Sequence, residues 1–124
     1  MDTSIKNWTD LTMIPRSELK KKLNILCELQ QCNKSKKHNI AKHLNNQALD
    51  LISDAAYNIV NSNPSRIQKN KLKSVKNYKK PLTYLSNPKN SVENKRKFII
   101  KQEGSGFFTM LASVAIPLLK ALIL

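Results

Sequence analysis

Residues 106–124 read GFFTMLASVAIPLLKALIL, and the use made of this run decides the fold. Only Thr109, Ser113 and Lys120 interrupt its apolar character. As a single helix it spans roughly 27 Å at about 1.5 Å per residue, marginal for a bilayer core of about 30 Å. The three polar residues fall near one narrow stripe, the pattern of a helix lying in a membrane interface. Pro117 is expected to kink or break the helix. Three uses are open: a membrane-inserting or membrane-disrupting helix, a tail anchor, or the missing part of a bundle's core, folded back. The side chains at stake are Phe107, Phe108, Met110, Leu111, Val114, Ile116, Leu118, Leu119, Leu122, Ile123 and Leu124.

Immediately upstream, Gly104-Ser105-Gly106 holds the only two glycines of the chain. Such a cluster marks a joint, because glycine enters backbone conformations closed to other residues. It separates the apolar run from a segment crowded with lysine. If the tail folds back, the joint is its turn.

Further toward the N-terminus, helical periodicity recurs and no alternating run resembles a strand. Asn90 and Glu93 have capping-box spacing for a helix through Phe98, Ile99 and Ile100. Ser65 is placed to cap a helix carrying Ile67, Leu72, Val75 and Tyr78, expected to stop at Pro81. Ala48, Leu49, Ile52, Ala55, Ala56, Ile59 and Val60 make the clearest stripe, with Asp50 and Asp54 on the other face. Ser35 is read as the cap of a short helix with Ile40, Ala41 and Leu44, interrupted at Asn45-Asn46. Pro15 opens a helix with Leu19, Leu23, Leu26 and Leu29, ending near Gln31. Lys20, Lys21 and Lys22 crowd one turn, so at least one lies close to the apolar seam.

The expected fold is therefore all-α: a small bundle of about four to five short helices plus a glycine-hinged apolar C-terminal helix. The expected organisation is an irregular segment over 1–14, a basic helical domain over 15–103, the hinge at 104–106 and the tail over 107–124.

The 124-residue chain carries a net charge of +14, and only Arg16, Arg66 and Arg96 of its 22 basic residues are arginines. Lysine is a flexible point charge, whereas arginine makes the forked contacts that read guanine edges. The composition suits phosphate neutralisation better than base reading. From Arg66 to Lys101 twelve basic residues face one acid, Glu93. Charge this dense opposes compaction unless a polyanion neutralises it. The expected ligand is duplex DNA, bound without sequence preference. The candidate contacts are Arg66, Lys69, Lys71, Lys73, Lys76, Lys79, Lys80, Lys95, Arg96, Lys97 and Lys101, with Lys34, Lys36, Lys37 and Lys42 as a second patch. Aromatics interleave only at Tyr78, Tyr84 and Phe98, too few for a single-strand stacking platform.

Catalytic patterns are missing. His38 and His43 lie five apart, not at the i, i+4 spacing of a helical metal pair. Asp50 and Asp54 sit one turn apart and are expected to meet lysines. Cys27 and Cys32 form no zinc signature, and Cys27 falls on an apolar stripe as a buried free thiol. The N-terminal residues lack the charged start and apolar run of a signal peptide, so a reducing compartment is expected. No cofactor is implied, and the expectation is not an enzyme.

The runs Arg16-Ser-Glu-Leu-Lys-Lys-Lys-Leu23, Ala56-Tyr-Asn-Ile-Val60 with Lys71-Leu-Lys73, and Lys95-Arg-Lys-Phe-Ile-Ile-Lys-Gln-Glu-Gly-Ser-Gly-Phe-Phe108 resemble small basic proteins of Polinton elements and adintoviruses. Those are similar in turn to adenovirus late core protein X, precursor of the DNA-condensing mu peptide. The resemblance covers residues 16–124, and the order lysine-rich, glycine, aromatic, apolar at the end is its most specific part. It implies a virion core component that packages and condenses double-stranded DNA, located in the virion core and host nucleus. It also implies a viral cysteine protease as partner, cutting between Ser105 and Gly106 within Gly104-Ser105-Gly106. Gln102 departs from the family pattern, which prefers an aliphatic residue there, and Ser105 replaces a second glycine. Other capsid or core proteins and anionic membranes are the further partners. Two rival readings stand beside this one: a membrane-lytic minor capsid protein, and a tail-anchored membrane protein with a basic cytosolic domain.

Overall fold

A computed structural model describes Trp8 and residues 16–35, 45–62, 65, 67–102 and 106–123, with no side chains described for 32–35. Within these residues the chain forms six helices and no strand: α1 (Arg16–Ser35), α2 (Asn46–Val60), α3 (Lys69–Asn77), α4 (Lys79–Ser86), α5 (Val92–Lys101) and α6 (Phe107–Ile123). The all-α bundle expected from the periodicity is what the structure has.

Helix α2 is the hub. Its buried residues include Leu49, Leu51, Ile52, Ala55, Ala56 and Ile59, and also the polar Ser53 and Asn58, and Asp54 from the face read as acidic. A helix buried nearly all round must be enclosed by neighbours. Alanines along it let those neighbours approach closely. Asn45 starts it, its side chain accepting from the Ala48 N–H at 2.8 Å. The Asn45-Asn46 pair is thus a helix start, where the sequence pattern shows only an interruption. A cap of this kind stabilises by about 1 kcal/mol.

Helix α6 pairs with α2 in the middle of the molecule. α1 packs on both, chiefly on α6. On the other side α4 packs on α2, and α3 touches α4 and α6, while α5 leans on α2. The apolar tail is therefore a core element. Phe107, Phe108, Met110, Leu111, Val114 and Leu119 are buried, and Ile116, Leu118, Leu122 and Ile123 pack against the core while partly exposed. Of the three uses open to residues 106–124, the structure has the folded-back one. Among the described residues no helix is long and apolar enough to cross a membrane.

Gly106 makes the turn into α6. Its φ of +84° lies in the left-handed region that favours glycine, and its carbonyl accepts from the Met110 N–H at 3.0 Å. Pro117 does not break α6: the chain stays helical across it, with the ring on the exposed side. The carbonyl of Ser113, four residues earlier, loses its usual amide partner on a flank that water reaches.

The helix expected from a Ser65 cap to Pro81 is two helices, and the first begins only at Lys69 after Gln68, so Ser65 does not cap it and Ile67 precedes it. The break falls at Tyr78 (φ −105°, ψ 22°), which ends α3 and opens α4. Pro81 thus lies in the first turn of α4, where a missing N–H costs little. α1 runs on to Ser35, past the expected end near Gln31, and Ser35 is its last residue rather than the cap of a following helix. The helix expected around Ile40, Ala41 and Leu44 lies outside the described residues. α5 starts one residue later than the capping box implied, with Ser91 Oγ accepting from the Asn94 N–H at 3.1 Å.

Candidate nucleic-acid interface

The candidate surface is built on α3 and α4. Between Asp54 and Glu93 the chain has no acidic residue at all. α3 has no buried residue; its hold on the bundle comes from the partly buried Leu72 and Val75, and from Tyr78 just beyond it. Lys69, Lys73 and Lys76 on α3 and Lys79 and Lys80 on α4 are exposed, while Lys71 is half-buried. Among the described residues none of these six ammonium groups is ion-paired.

The helix starts sharpen this imbalance. α2 and α5 open with capping side chains, and α5 has Glu93 in its first turn. α3 opens after Gln68 without a side-chain cap or an acid, and carries Lys69 and Lys71 in its first turn. A cation there opposes the helix macrodipole by about 0.3–1 kcal/mol, an arrangement that an anion relieves.

Two aromatic contacts hold the lysine helices to the bundle. Tyr78 packs on Phe107 with ring centroids 5.7 Å apart, fastening the α3–α4 junction to the start of α6. Tyr84 stacks on Phe98 at 4.5 Å, fastening α4 to α5. The Tyr84 and Phe98 rings are stacked, whereas Tyr78 and Phe107 meet at a tilt of 58°.

On α5, Lys97 and Lys101 are exposed, one turn apart. Arg96 is tied down: it pairs with Glu93 and donates to Asn46 Oδ1 at 3.1 Å, closing α5 onto the start of α2. Lys95 must leave the candidate set. It is only 7% exposed, sharing the inward face of α5 with Ile99. Burial pushes its ammonium below the usual lysine value, partly offset by the attraction of Asp50 and Asp54. Its neighbours in sequence look like one basic run, but the helical turn sends Lys95 inward and Lys97 outward.

Lys36, Lys37, Lys42 and Arg66 lie outside the described residues, as do Gly104 and Ser105 of the cleavage motif, Leu124 of the tail, and both histidines. Lys34 belongs to α1, but its side chain is not among those described. Lys89, in the turn after α4, is exposed beside the candidate surface. Cys27 is a free thiol, half-buried rather than fully enclosed. Among the described residues no group of three or more His, Cys, Asp or Glu gathers to hold a metal ion.

No family model, curated protein or solved structure matches this chain.

Proposed function

We propose that this protein binds double-stranded DNA without sequence preference and condenses it. The observation that carries the reading is the acid-free stretch between Asp54 and Glu93, which includes α3 and α4 with exposed lysines that are not ion-paired among the described residues. Phosphates supply the negative partner that the protein itself lacks there. Each phosphate neutralised releases condensed counterions, so affinity falls steeply with salt. The preponderance of lysine supports charge neutralisation over base reading.

The place of action we propose, a virion core packaged in a host nucleus, rests on the resemblance of the Lys95–Phe108 run and the apolar end to Polinton and adintovirus proteins. Burial of α6 supports a reading in which the tail closes the bundle rather than meeting lipid.

A filter-binding titration against duplexes of unrelated sequence tests the reading. Similar affinity for all of them, falling roughly a thousandfold from 50 to 200 mM salt if six phosphates are contacted, is the expected result. Salt-independent binding, or strong preference for one sequence, defeats it.

A further inference from the structure

We propose that Arg16, Lys20 and Lys21 on α1 form a second duplex-binding face, and that one chain thereby bridges two DNA duplexes. The inference rests on the duplex-binding reading above and supplies its route to condensation.

The layering of the helices carries the argument. α1 packs on α6 and α2, whereas α4 packs on α2 and α3 on α4 and α6, and α1 makes no comparable packing with α3 or α4; we read this as α1 and the α3–α4 pair lying on different sides of α2 and α6. α1 turns Leu19, Leu26 and Leu29 inward, and its Lys22 is drawn onto Asp54 of α2. Arg16, Lys20 and Lys21 remain exposed, and among the described residues none of the three is ion-paired. Glu18 is half-buried and already engaged. The first exposed acid on α1 is Glu28, about two turns beyond Lys21. Among the described residues, open cations thus lie on α1 as well as on α3 and α4.

These two faces cannot be served by one set of phosphates. Helix axes pack about 8–10 Å apart, so α1 and α4, which both pack on α2 but not closely on each other, lie more than one such spacing and at most about 16–20 Å apart. That exceeds the Debye length of about 8 Å at physiological salt, so DNA on α3 and α4 leaves the α1 cations unneutralised. Nor does one short duplex wrap around to reach both. Bending 20–30 base pairs by 40–90° costs on the order of 1–6 kcal/mol, and the bend would bring phosphates to only three more cations. A second duplex, approaching from the α1 side, meets those cations without deformation.

With three cations to offer, the α1 face is the weaker one. Its affinity falls roughly fortyfold between 50 and 200 mM salt, against roughly a thousandfold for a face that neutralises six phosphates. Bridging therefore ends when the weaker face releases its duplex, while the other face still holds one.

The test uses the full-length chain, at concentrations where sedimentation shows a monomer. One biotinylated duplex is held on beads, and a fluorescent duplex of unrelated sequence is offered in solution. A parallel gel shift reads single-duplex binding. The wild type is expected to retain the fluorescent duplex. R16Q/K20Q/K21Q is expected to shift a single duplex almost as well as wild type, keep wild-type Trp8 fluorescence, and lose the retention. Lys20→Arg with Lys21→Arg, which preserves the charge, must keep it. Bridging by the triple glutamine variant at the wild-type level overturns the second face. So does a wild type that shifts a duplex but retains no second one. If the wild type shifts no duplex at all, the duplex-binding reading itself has failed, and the gel-shift arm shows that separately.

Discussion

Lys22 Nζ donates to Asp54 Oδ2 at 3.2 Å, joining α1 to α2 where both side chains are largely withdrawn from water. The contact continues along α2. Asn58 Nδ2 donates to the Asp54 carbonyl at 2.7 Å, and Asn58 Oδ1 accepts from the Trp8 backbone N–H at 3.0 Å. One polar string thus ties the N-terminal tryptophan, α1 and the hub helix together. It also removes a lysine and an acid from the surface, so the open cations lie elsewhere.

Breaking that pair from one side should be costly. Lys22→Met removes the ion-pair contact from a largely buried carboxylate, a loss of at most about 3–5 kcal/mol, whereas Lys22→Met with Asp54→Leu should recover part of it. Urea unfolding followed by Trp8 fluorescence measures both, since Trp8 is the only tryptophan and is buried. A single variant as stable as the wild type would show that the pair does not hold α1 to α2.

Lys95 makes a prediction of the opposite sign. Desolvation lowers its folded pKa below its ordinary 10.5, so between those two values the unfolded chain binds more protons than the folded one. Stability from this group therefore rises as pH climbs through that window, and is lowest where Lys95 is charged in both states. Lys95→Met should raise stability at neutral pH and flatten the alkaline part of the pH–stability curve. Identical slopes in wild type and variant would contradict the burial.

The same residue separates buried from working charge. Lys95→Met should leave DNA affinity and its salt dependence nearly unchanged. Lys69→Gln, Lys73→Gln and Lys76→Gln together should weaken binding equally across sequences and reduce the slope of log K against log salt by about 2.7. Equal effects from the two changes would mean that net charge alone, rather than the α3 surface, sets binding.

The sequence was most informative where apolar spacing is regular. The stripe read from Ala48 to Val60 is the hub helix, with Val60 alone of its members exposed, and the leucines of α1 face inward as their spacing implies. Asp54 was not legible as a buried residue, because its burial depends on Lys22 arriving from another helix. The break at Tyr78 was hidden for a similar reason: it is held by the ring of Phe107, far away in sequence. Of the candidate site, the acid-free lysine stretch was readable directly. Which lysines face water was not, since Lys95 and Lys97 differ only by their angle around α5. The tail was ambiguous on physical grounds, because lipid and a protein core reward the same apolar side chains.

Removing the tail distinguishes those two environments. Phe107, Leu111 and Leu119 are at most 1% exposed, and each such side chain contributes about 1.5–3 kcal/mol by leaving water. Three of them together rival the whole stability of a small domain, about 5–15 kcal/mol. A chain ending before Gly106 should therefore lose cooperative unfolding and expose Trp8, instead of leaving a folded basic domain. Leu111→Ala should cost about 2–5 kcal/mol with the fold retained. Gly106→Ala should cost about 1 kcal/mol, because φ +84° strains an L-residue and the new methyl meets the Tyr78 hydroxyl at 3.4 Å. A truncated protein that still unfolds cooperatively with Trp8 buried would show that α6 is dispensable to the core. Its apolar face would then need a partner other than α1 and α2.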